Sequence, residues 1–411
     1  MSGTSRYEDR GVSATKREVH AAVAQAGNDQ GLFPGAFCQV FLDHLMGDEE
    51  FCVAMHSDGT GTKFNVAYLA YLEAVRKAVL DPRVIRELFW GVAQDSIVMN
   101  IDDLICVGAL GPFMLSQTIN RNKLLVGAEV LTALIEGCQR FCAKLTGLGI
   151  PCYVMGGETA DVGDLVRTAT VDNTIVTRMR RGDVIDASRM APGDLIVGFS
   201  STGQANWESE PNSGIGSNGF TNGRHDLLSP EYRRVLSTYA PEVNPDLIYR
   251  GPFILSDPLP TDQNFTVGSA LLSPTRTYAP LVKQLLTAVP RSDIHGIIHC
   301  SGGGQTKIGK FGQFGNVYNK YYVFPVPPLF RMIQEASGLS WHEMYQCYNM
   351  GHRLEVVVPQ MKTAEECIHI STDCGIEARI VGMVEHDSTL RAENKRRVMI
   401  KAPYLDEPLV Y

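Results

Sequence analysis

The sequence predicts an α/β protein of two domains. Its 411 residues exceed the size of a typical single domain. In the first half, an apolar strand leads into a glycine-rich segment twice, and helical segments lie between the two. A polar stretch near residue 185 then precedes a second set of apolar strands. We therefore expect an N-terminal tail over 1–36, a first domain over 37–185 and a second domain over 186–411.

The tail is polar at its start and then carries glycine and proline at 31–36. Because chain ends are mobile unless tertiary contacts fix them, this tail is either disordered or a lid that orders over a ligand.

The first domain is organised around the segment His56–Lys63. It follows an apolar run at 51–55 and precedes an apolar-periodic helix over 64–80, so we expect a loop between a strand and a helix. Glycine amides, hydroxyls and a lysine suit phosphate, and an aspartate suits magnesium. An ordinary glycine turn is the alternative. The candidate groups are Asp58, Gly59, Gly61, Thr62 and Lys63.

A mostly buried helix is predicted over 91–107, after a stop at Asp81-Pro82. It carries Asp95, Asp102 and Asp103. Spacing by seven places the first two on nearly the same face. Because a carboxylate in an apolar helix is costly unless paired or bound to a cation, a metal-facing stripe is favoured over a solvated face.

A second glycine-rich loop is predicted after a helix over 122–148 and a short strand at 152–155. A closing strand is expected at 171–176. The candidate ligand groups of this loop are Gly156, Gly157, Glu158, Thr159 and Asp161.

The second domain is predicted to contain strands at 195–199 and 294–299 and short strands from residue 378 onward. The strand at 294–299 ends at His299 and runs into Ser301–Gly304. A histidine at this strand end is either a proton-transfer group, since its pKa lies near neutrality, or a core residue.

Composition excludes some classes of function. A net charge of −8 argues against a general nucleic-acid binder, and no apolar run approaches the ~18 residues that span a membrane. The ten cysteines form no CxxC pair and the first ten residues are polar. We expect a cytoplasmic protein with reduced thiols that binds neither nucleic acid nor membrane.

Eight collinear motifs together resemble the family of aminoimidazole ribonucleotide synthetase, phosphoribosylformylglycinamidine cyclo-ligase (PurM). The motifs are Tyr7–Val12, Asp58–Lys63, Asp95–Leu104, Gly156–Ala160, Ser217–Gly219, Leu271–Tyr278, Asp293–Gly304 and Glu343–Asn349.

The resemblance implies two PurM-like domains, of which the first is a mixed sheet that forms a barrel in a homodimer. It implies ATP-dependent ring closure of formylglycinamidine ribonucleotide to aminoimidazole ribonucleotide, ADP and phosphate, in purine biosynthesis. Catalytic roles would fall to His299, Asp58 and Lys63. ATP would contact Tyr7, Gly11, Asp58, Gly59, Gly61, Thr62, Lys63, Asp95, Gly156, Gly157, Glu158 and Thr159. The substrate would contact Ser217, Asn218, Gly219, Ser301, Gly302, Gly303 and Gly304. Magnesium would bind Asp58, Asp95, Asp103, Glu158 and Asp161.

Several positions depart from the family pattern and indicate a divergent branch. Gly216 stands where the family usually has histidine before Ser-Asn-Gly, and His352-Arg353 replaces a usual Val-Gly. Gln305–Lys307 replaces a frequent Phe-Trp continuation. The alternatives are another ATP-using enzyme of the superfamily, such as thiamine-phosphate kinase or selenophosphate synthetase, and a catalytically silent nucleotide-binding paralogue.

Overall fold

The computed structural model describes residues 6–13, 16–27, 31–77, 81–260 and 262–411. Two large sheets organise them. The strands of the first sheet are β1 (Val40–Leu42), β2 (Phe51–Gly59), β3 (Phe113–Arg121), β4 (Cys152–Asp161) and β5 (Ala169–Arg180). They run in the order β1-β2-β5-β3-β4, and only the β3–β4 pair is parallel.

The first half also contains helices, of which the last three pack on one face of this sheet. The helices are α1 (Arg6–Asp9), α2 (Arg17–Gln25), α3 (Lys63–Arg76), α4 (Pro82–Leu104) and α5 (Ala128–Gly147). Helix α4 crosses β2 and β5, α5 packs on α4 and β4, and α3 packs on α4. The opposite face of the sheet carries no helix in the described part of the chain.

Helix α4 begins where the sequence predicts a stop. Asp81 is its N-cap, with the side chain accepting a hydrogen bond of 2.9 Å from the amide of Arg83, and Pro82 occupies the first helical position. Proline ends one helix and also favours the start of the next, because its missing N–H is unneeded in a first turn. The predicted helix over 91–107 is therefore the second part of a longer one.

Both predicted glycine-rich loops are largely strand, so the two loop predictions are wrong in extent. Strand β2 continues through Gly59 and pairs with β5, which leaves Thr60–Thr62 as the connection to α3. Strand β4 continues through the whole of 156–161, paired with β3. Glycine is needed here for close strand approach, since a Cβ on Gly157 would lie 2.6 Å from the carbonyl oxygen of Gln117.

The second sheet is built from strands after residue 194. The strands of the second half are β6 (Leu195–Ser200), β7 (Pro258–Leu259), β8 (Asp262–Thr266), β9 (Gly296–His299), β10 (Asn316–Lys320), β11 (His352–Val358), β12 (Ala378–His386), β13 (Arg397–Ile400) and β14 (Leu409–Val410). Seven of them form the order β14-β13-β10-β12-β6-β11-β9, and β7 and β8 form a separate pair. Strand β11 lies between two neighbours and is buried at every residue.

Helices cover this second sheet. The helices are α6 (Phe220–Leu227), α7 (Val267–Leu272), α8 (Ala279–Ala288), α9 (Pro328–Ser337), α10 (Trp341–Cys347), α11 (Met361–Asp373) and α12 (Ser388–Ala392). Apolar residues of α4, such as Ile101, share one buried cluster with Tyr278 beside α8 and Leu354 of β11. The hydrophobic core is thus continuous between the two halves. In the described residues, no helix combines the length and the apolar character needed to cross a bilayer.

The N-terminal segment is held against the second half. Arg10 is only 5% exposed, and its guanidinium donates to Asp226 of α6 at 2.6 and 2.9 Å. It also donates to Asn222 at 3.0 Å. Because a buried charge requires a charged partner, this pair fixes the segment at residue 10.

Candidate functional site

A cluster of two histidines and one aspartate lies where the two halves meet. Asp103 of α4 bonds His299 Nδ1 of β9 at 2.7 Å and forms an ion pair of 3.2 Å with His56 Nε2 of β2. Burial alone would raise the pKa of Asp103, but the two imidazoles outweigh it and hold that pKa below its ordinary value. Burial would lower the pKa of His56, whereas Asp103 raises it above its ordinary value. The cluster therefore favours an ionised Asp103.

His299 has one ring nitrogen available for chemistry. Its side chain is fully buried, and Nε2 has no hydrogen-bond partner in the described structure. If Nδ1 donates its proton to Asp103, Nε2 carries a lone pair that can accept a proton. An aspartate behind a histidine also stabilises the imidazolium that results.

Asp58 lies one residue before the end of β2, and its carboxylate is exposed. Oδ1 accepts a hydrogen bond of 2.7 Å from the amide of Gly59, and the carbonyl of Asp58 accepts one of 3.0 Å from Asn100 of α4. The surrounding protein raises the pKa of Asp58 through desolvation, partly offset by the Gly59 amide. The backbone is fixed while the carboxylate is left open to a ligand.

Lys63 and Asp95 pair with each other inside the junction between the halves. The Lys63 ammonium lies 3.0 Å from Asp95 and donates to the carbonyl of Ser273 at 2.5 Å. Asp95 also accepts a 2.5 Å hydrogen bond from the amide of Thr275. Both side chains are essentially unexposed. Burial lowers the pKa of Lys63 and Asp95 opposes that shift.

Asp102 lies on the same face of α4 and binds the same segment of the second half. It accepts hydrogen bonds from Thr277 Oγ1 at 2.7 Å and from the amide of Tyr278 at 3.1 Å. Of the two ways to satisfy a carboxylate in an apolar helix, the stripe formed by Asp95 and Asp102 uses pairing, and it joins the two halves.

The second glycine-rich segment does not approach Asp58 within one chain. Asp58 pairs with Asn173, whose side chain bonds α4, so this row of the sheet faces the helices. Glu158 pairs with Thr118, which pairs with Asp172, and that row faces the open side. Three strand spacings also separate the two acids, about 14 Å at ~4.8 Å each.

The other predicted residues of β4 and of the tail occupy separate places. Gly156 and Thr159 border a surface cavity between β4 and α5. Asp161 accepts a 2.8 Å hydrogen bond from Arg121, which lowers the pKa of that carboxyl. Tyr7 lies in α1 with a side chain outside the described part of the structure, and Gly11 follows that helix with a φ of 73°.

The two predicted substrate segments are neighbours. A Cβ on Gly302 would lie 3.7 Å from the side-chain nitrogen of Asn218, so Ser301–Gly304 and Ser217–Gly219 face each other. Asn349 connects this region further, donating to the carbonyl of Gly214 at 2.8 Å and accepting from Ser201 at 2.9 Å.

The first segment of the site contacts the second half directly. The hydroxyl of Thr62 lies 2.9 Å from that of Thr221, two residues after Gly219. The Asp58 region, His299 and both glycine segments of the second half therefore surround one junction, from which Gly156–Asp161 is separated.

Sequence reasoning missed three residues of this junction, His56, Asn100 and Arg353. Asn100 lies inside a matched motif and His56 two residues before one, but their partners could not be read from a linear pattern. Arg353 carries a signal that could have found it, because it alternates with the apolar residues Leu354 and Val356–Val358 in a strand-like stretch, where a charged residue is costly.

Two family models match the chain. AIR synthase related protein, N-terminal domain, matches residues 38–179, and AIR synthase related protein, C-terminal domain, matches residues 191–394. The chain belongs to this family.

Curated relatives in this family are named phosphoribosylformylglycinamidine cyclo-ligase. That of Pyrococcus furiosus is 31% identical over 328 residues, covering 79% of this chain and 77% of the relative. That of Pyrococcus horikoshii is 30% identical over 323 residues, covering 77% and 75%. That of Methanococcus vannielii is 27% identical over 364 residues, covering 87% and 85%.

Solved structures share the fold at low identity. A chain of the HypE-HypF complex aligns with a TM-score of 0.54 and 15% identity, covering 95% of this chain and all of that one. AaThiL complexed with AMPPCP and TMP aligns with a TM-score of 0.53 and 12% identity, covering 96% of each chain. The comparisons confirm the predicted family, the two-domain α/β fold class and, through the names of the relatives, a ligase-type enzyme.

Proposed function

We propose that this protein closes the imidazole ring of aminoimidazole ribonucleotide, using formylglycinamidine ribonucleotide and ATP and releasing ADP and phosphate. The observation that carries the proposal is His299, fixed by Asp103 at 2.7 Å, with a free Nε2 beside the Ser301–Gly304 segment. Ring closure requires a group that removes a proton from an attacking nitrogen, and this arrangement supplies one. The names of the relatives support the same reaction.

The chemistry is a substitution at the formyl carbon. ATP supplies a phosphoryl group to the formyl amide oxygen, which turns a poor leaving group into phosphate. An amidine nitrogen then attacks that carbon, the C–O bond breaks, and phosphate departs. His299 Nε2 accepts the proton that the nitrogen loses, and Asp103 stabilises the imidazolium.

Magnesium fits the open carboxylate near the junction. Asp58 is exposed and offers an oxygen ligand, whereas Asp95 is already compensated by Lys63 and Asp161 by Arg121. We therefore assign Asp58 as the principal magnesium ligand of this chain and give Lys63 and Asp95 the role of joining the halves. Bound magnesium would neutralise phosphate charge.

We propose a homodimer through the open face of the first sheet. A row of paired apolar residues crosses this face, formed by Met55, Val176, Met114 and Tyr153. Met55 is 61% exposed and Tyr153 is 49% exposed in the single chain. Exposed apolar surface of this kind favours a protein contact, and Glu158 would then lie at the contact between copies. A cytoplasmic location is part of the same proposal.

Measuring ADP release with and without formylglycinamidine ribonucleotide tests the function. We expect ADP formation to depend on that substrate, with thiamine phosphate as a comparison substrate that gives none. ADP release that ignores the ribonucleotide but follows thiamine phosphate would replace the proposal by the kinase alternative. If ADP is released neither with the ribonucleotide nor with thiamine phosphate as substrate, the silent paralogue is favoured.

A further inference from the structure

Three buried polar atoms around the glycine segments of the second half have no hydrogen-bond partner. They are Ser217 Oγ, His299 Nε2 and Arg353 Nε, each without a partner among the described residues. A buried polar group left unpaired costs free energy, so most such groups are satisfied in native proteins. A ligand that accepts hydrogen bonds would satisfy the serine and the arginine together.

Arg353 is a buried cation with incomplete compensation. The side chain is 4% exposed, and Nη2 donates to the carbonyl of Arg276. The nearest carboxylate oxygen is that of Asp102, at 3.8 Å, and Asp102 already accepts hydrogen bonds from Thr277 and Tyr278. The guanidinium therefore retains both charge and donors for another partner.

The guanidinium lies directly against the start of the Ser217–Gly219 segment. A Cβ built on Gly216 would lie 3.2 Å from Arg353 Nη1. Gly216 has a φ of 63°, which also disfavours a side chain. A side chain at 216 and an arginine at 353 thus compete for the same space, and this chain combines glycine at 216 with arginine at 353.

The resemblance to the family implies a different combination there, histidine at 216 and glycine at 353. The two departures in this sequence are therefore in contact. One exchange removes a nitrogen-bearing side chain from the segment, and the other brings a guanidinium to the same place from β11.

We propose that Arg353, together with Ser217, binds a phosphoryl oxyanion at the Ser217–Gly219 segment, taking the place that a side chain at 216 would otherwise fill. A planar guanidinium with free N–H groups is suited to phosphate oxygens, and the serine hydroxyl supplies another donor. The oxyanion belongs either to the ribose phosphate of the substrate or to the phosphoryl group in transfer. Naming the substrate rests on the proposed function, but binding of a phosphoryl anion does not.

A direct binding measurement tests the anion site without any assumption about the reaction. Inorganic phosphate is titrated calorimetrically into wild-type protein, Arg353→Lys, Arg353→Met and the control Arg379→Met. Arg379 lies over the ring of Phe324 at 4.4 Å and serves as a second-half guanidinium outside the segment. We expect affinity to fall at least about tenfold in Arg353→Met, less in Arg353→Lys, and to stay unchanged in the control. Equal affinity in all four proteins, or no phosphate binding by the wild type, overturns the proposal.

Exchanging the two positions tests their coupling. Arg353→Gly and Gly216→His are each expected to lower substrate-dependent ADP release at least about tenfold. The double variant, which restores the family combination, should exceed both single variants by at least about fivefold. Circular dichroism establishes that each variant is folded. A folded double variant no better than the single ones contradicts the exchange.

Kinetics separate the two sources of the oxyanion. A raised KM for the ribonucleotide with kcat retained assigns Arg353 to the ribose phosphate. A lowered kcat with KM retained assigns it to the transferring group. Unchanged kcat and KM in folded Arg353→Met overturns a role in the reaction. Wild-type protein that binds phosphate but shows no substrate-dependent ADP release would refute the proposed function and leave the anion site standing.

Discussion

Two buried cations of the second half differ in how fully the protein satisfies them. The Lys320 ammonium has three acceptors, the carbonyl of Gln305 at 2.7 Å, the side-chain oxygen of Gln305 at 3.0 Å and Glu355 at 2.5 Å. Among the described residues, Arg353 has one carbonyl, a carboxylate at 3.8 Å and the ring of Tyr278, whose centroid lies 5.5 Å from the guanidinium carbon. A buried cation with all its hydrogen-bond acceptors, like Lys320, stabilises the fold. A buried cation with few acceptors, like Arg353, indicates a place where a ligand can bind.

The same contrast separates two aspartates of the first half. Asp95 is unexposed and bonded to Lys63 and Thr275, whereas Asp58 is exposed and its carboxylate accepts a hydrogen bond only from the amide of Gly59 among the described residues. The residues that we assign to the reaction therefore differ from their neighbours less in residue type than in how many hydrogen-bond and charge partners the protein gives them.

The largest expected effect is the loss of a satisfied cation. Replacing Lys320 by methionine removes the cation beside Glu355 and leaves that buried carboxylate with His352 at 2.8 Å, so we expect the free energy of unfolding to fall by about 3–5 kcal/mol. Urea denaturation measures it. The control Lys320→Met/Glu355→Leu should recover most of the loss. A single variant within about 1 kcal/mol of wild type would show that the pair is not structural.

Asp58→Asn should have the opposite effect to Lys320→Met, with a large decrease in turnover and a small change in stability. We expect turnover to fall at least ~10²-fold because a charge-stabilising ligand at the reacting phosphate is lost. Asp95→Asn is the matched control and should mainly destabilise, since Lys63 loses its partner. Steady-state ADP release and urea denaturation are measured on both. Wild-type turnover in folded Asp58→Asn would discard the metal role.

His299→Ala tests whether His299 Nε2, the ring nitrogen without a hydrogen-bond partner in the described part of the chain, is the proton acceptor. We expect turnover to fall about 10²-fold, within the range that general-base catalysis contributes. His295 on the same side of the sheet is paired with Asp194 at 2.8 Å, so His295→Ala should retain turnover. A rate for His299→Ala equal to wild type would return His299 to the role of a core residue.

The stability of the protein should decrease in acid because the Lys320–Glu355 pair loses its charge interaction when Glu355 is protonated. Burial would raise the pKa of Glu355, but Lys320 and the hydrogen bond from His352 together outweigh it and hold that pKa at about 2, below its ordinary 4.5. A depressed carboxyl pKa gives stability that is present above pH 4.5 and is lost as pH falls toward 2. Between pH 6 and pH 3 this pair should cost about 2 kcal/mol, at 1.36 kcal/mol per pH unit.

Urea denaturation at the two pH values measures this loss. The Lys320→Met/Glu355→Leu variant lacks the titrating group, so its own decrease in stability should be smaller by about 2 kcal/mol. Equal decreases in both proteins would contradict the assigned pKa.

The smallest effect concerns a single contact between the halves. Thr62→Val removes the 2.9 Å hydrogen bond to Thr221, which should lower the free energy of unfolding by about 1 kcal/mol. Thr62→Val/Thr221→Val should cost little more than the single change. A larger additional loss in the double variant would mean that Thr221 has another role.

The sequence predicted the fold class, because long apolar periods and strand order are local signals. Helix boundaries were less predictable, since Pro82 can follow one helix or open the next. The segment 156–161 reads as a loop from its glycines, yet pairing with β3 makes it strand. Glycine composition alone does not distinguish a turn from a strand that needs close approach.

The sequence predicted candidate residues of the site but not the partners that the structure gives them. The acidic stripe of α4 was predicted to face a metal, whereas in the structure Asp95 pairs with Lys63 and Asp102 accepts a hydrogen bond from Thr277. Its partners, Thr275 and Thr277, lie 180 and 175 residues away from the aspartates they bind. Contacts between residues so far apart produce no recognisable spacing in the sequence. The sequence alone therefore does not distinguish a paired carboxylate from a metal ligand.

The anchor between Arg10 and Asp226 has a consequence for how the protein is made. The two residues are 216 positions apart, so at about 5–20 residues per second Arg10 precedes its partner by roughly 10–40 s during synthesis. The segment around Arg10 is thus synthesised well before the contact that fixes it can form. Until Asp226 has been synthesised, the nascent chain exposes an arginine that later becomes buried. Burial of Arg10 therefore requires that this part of the second half has folded.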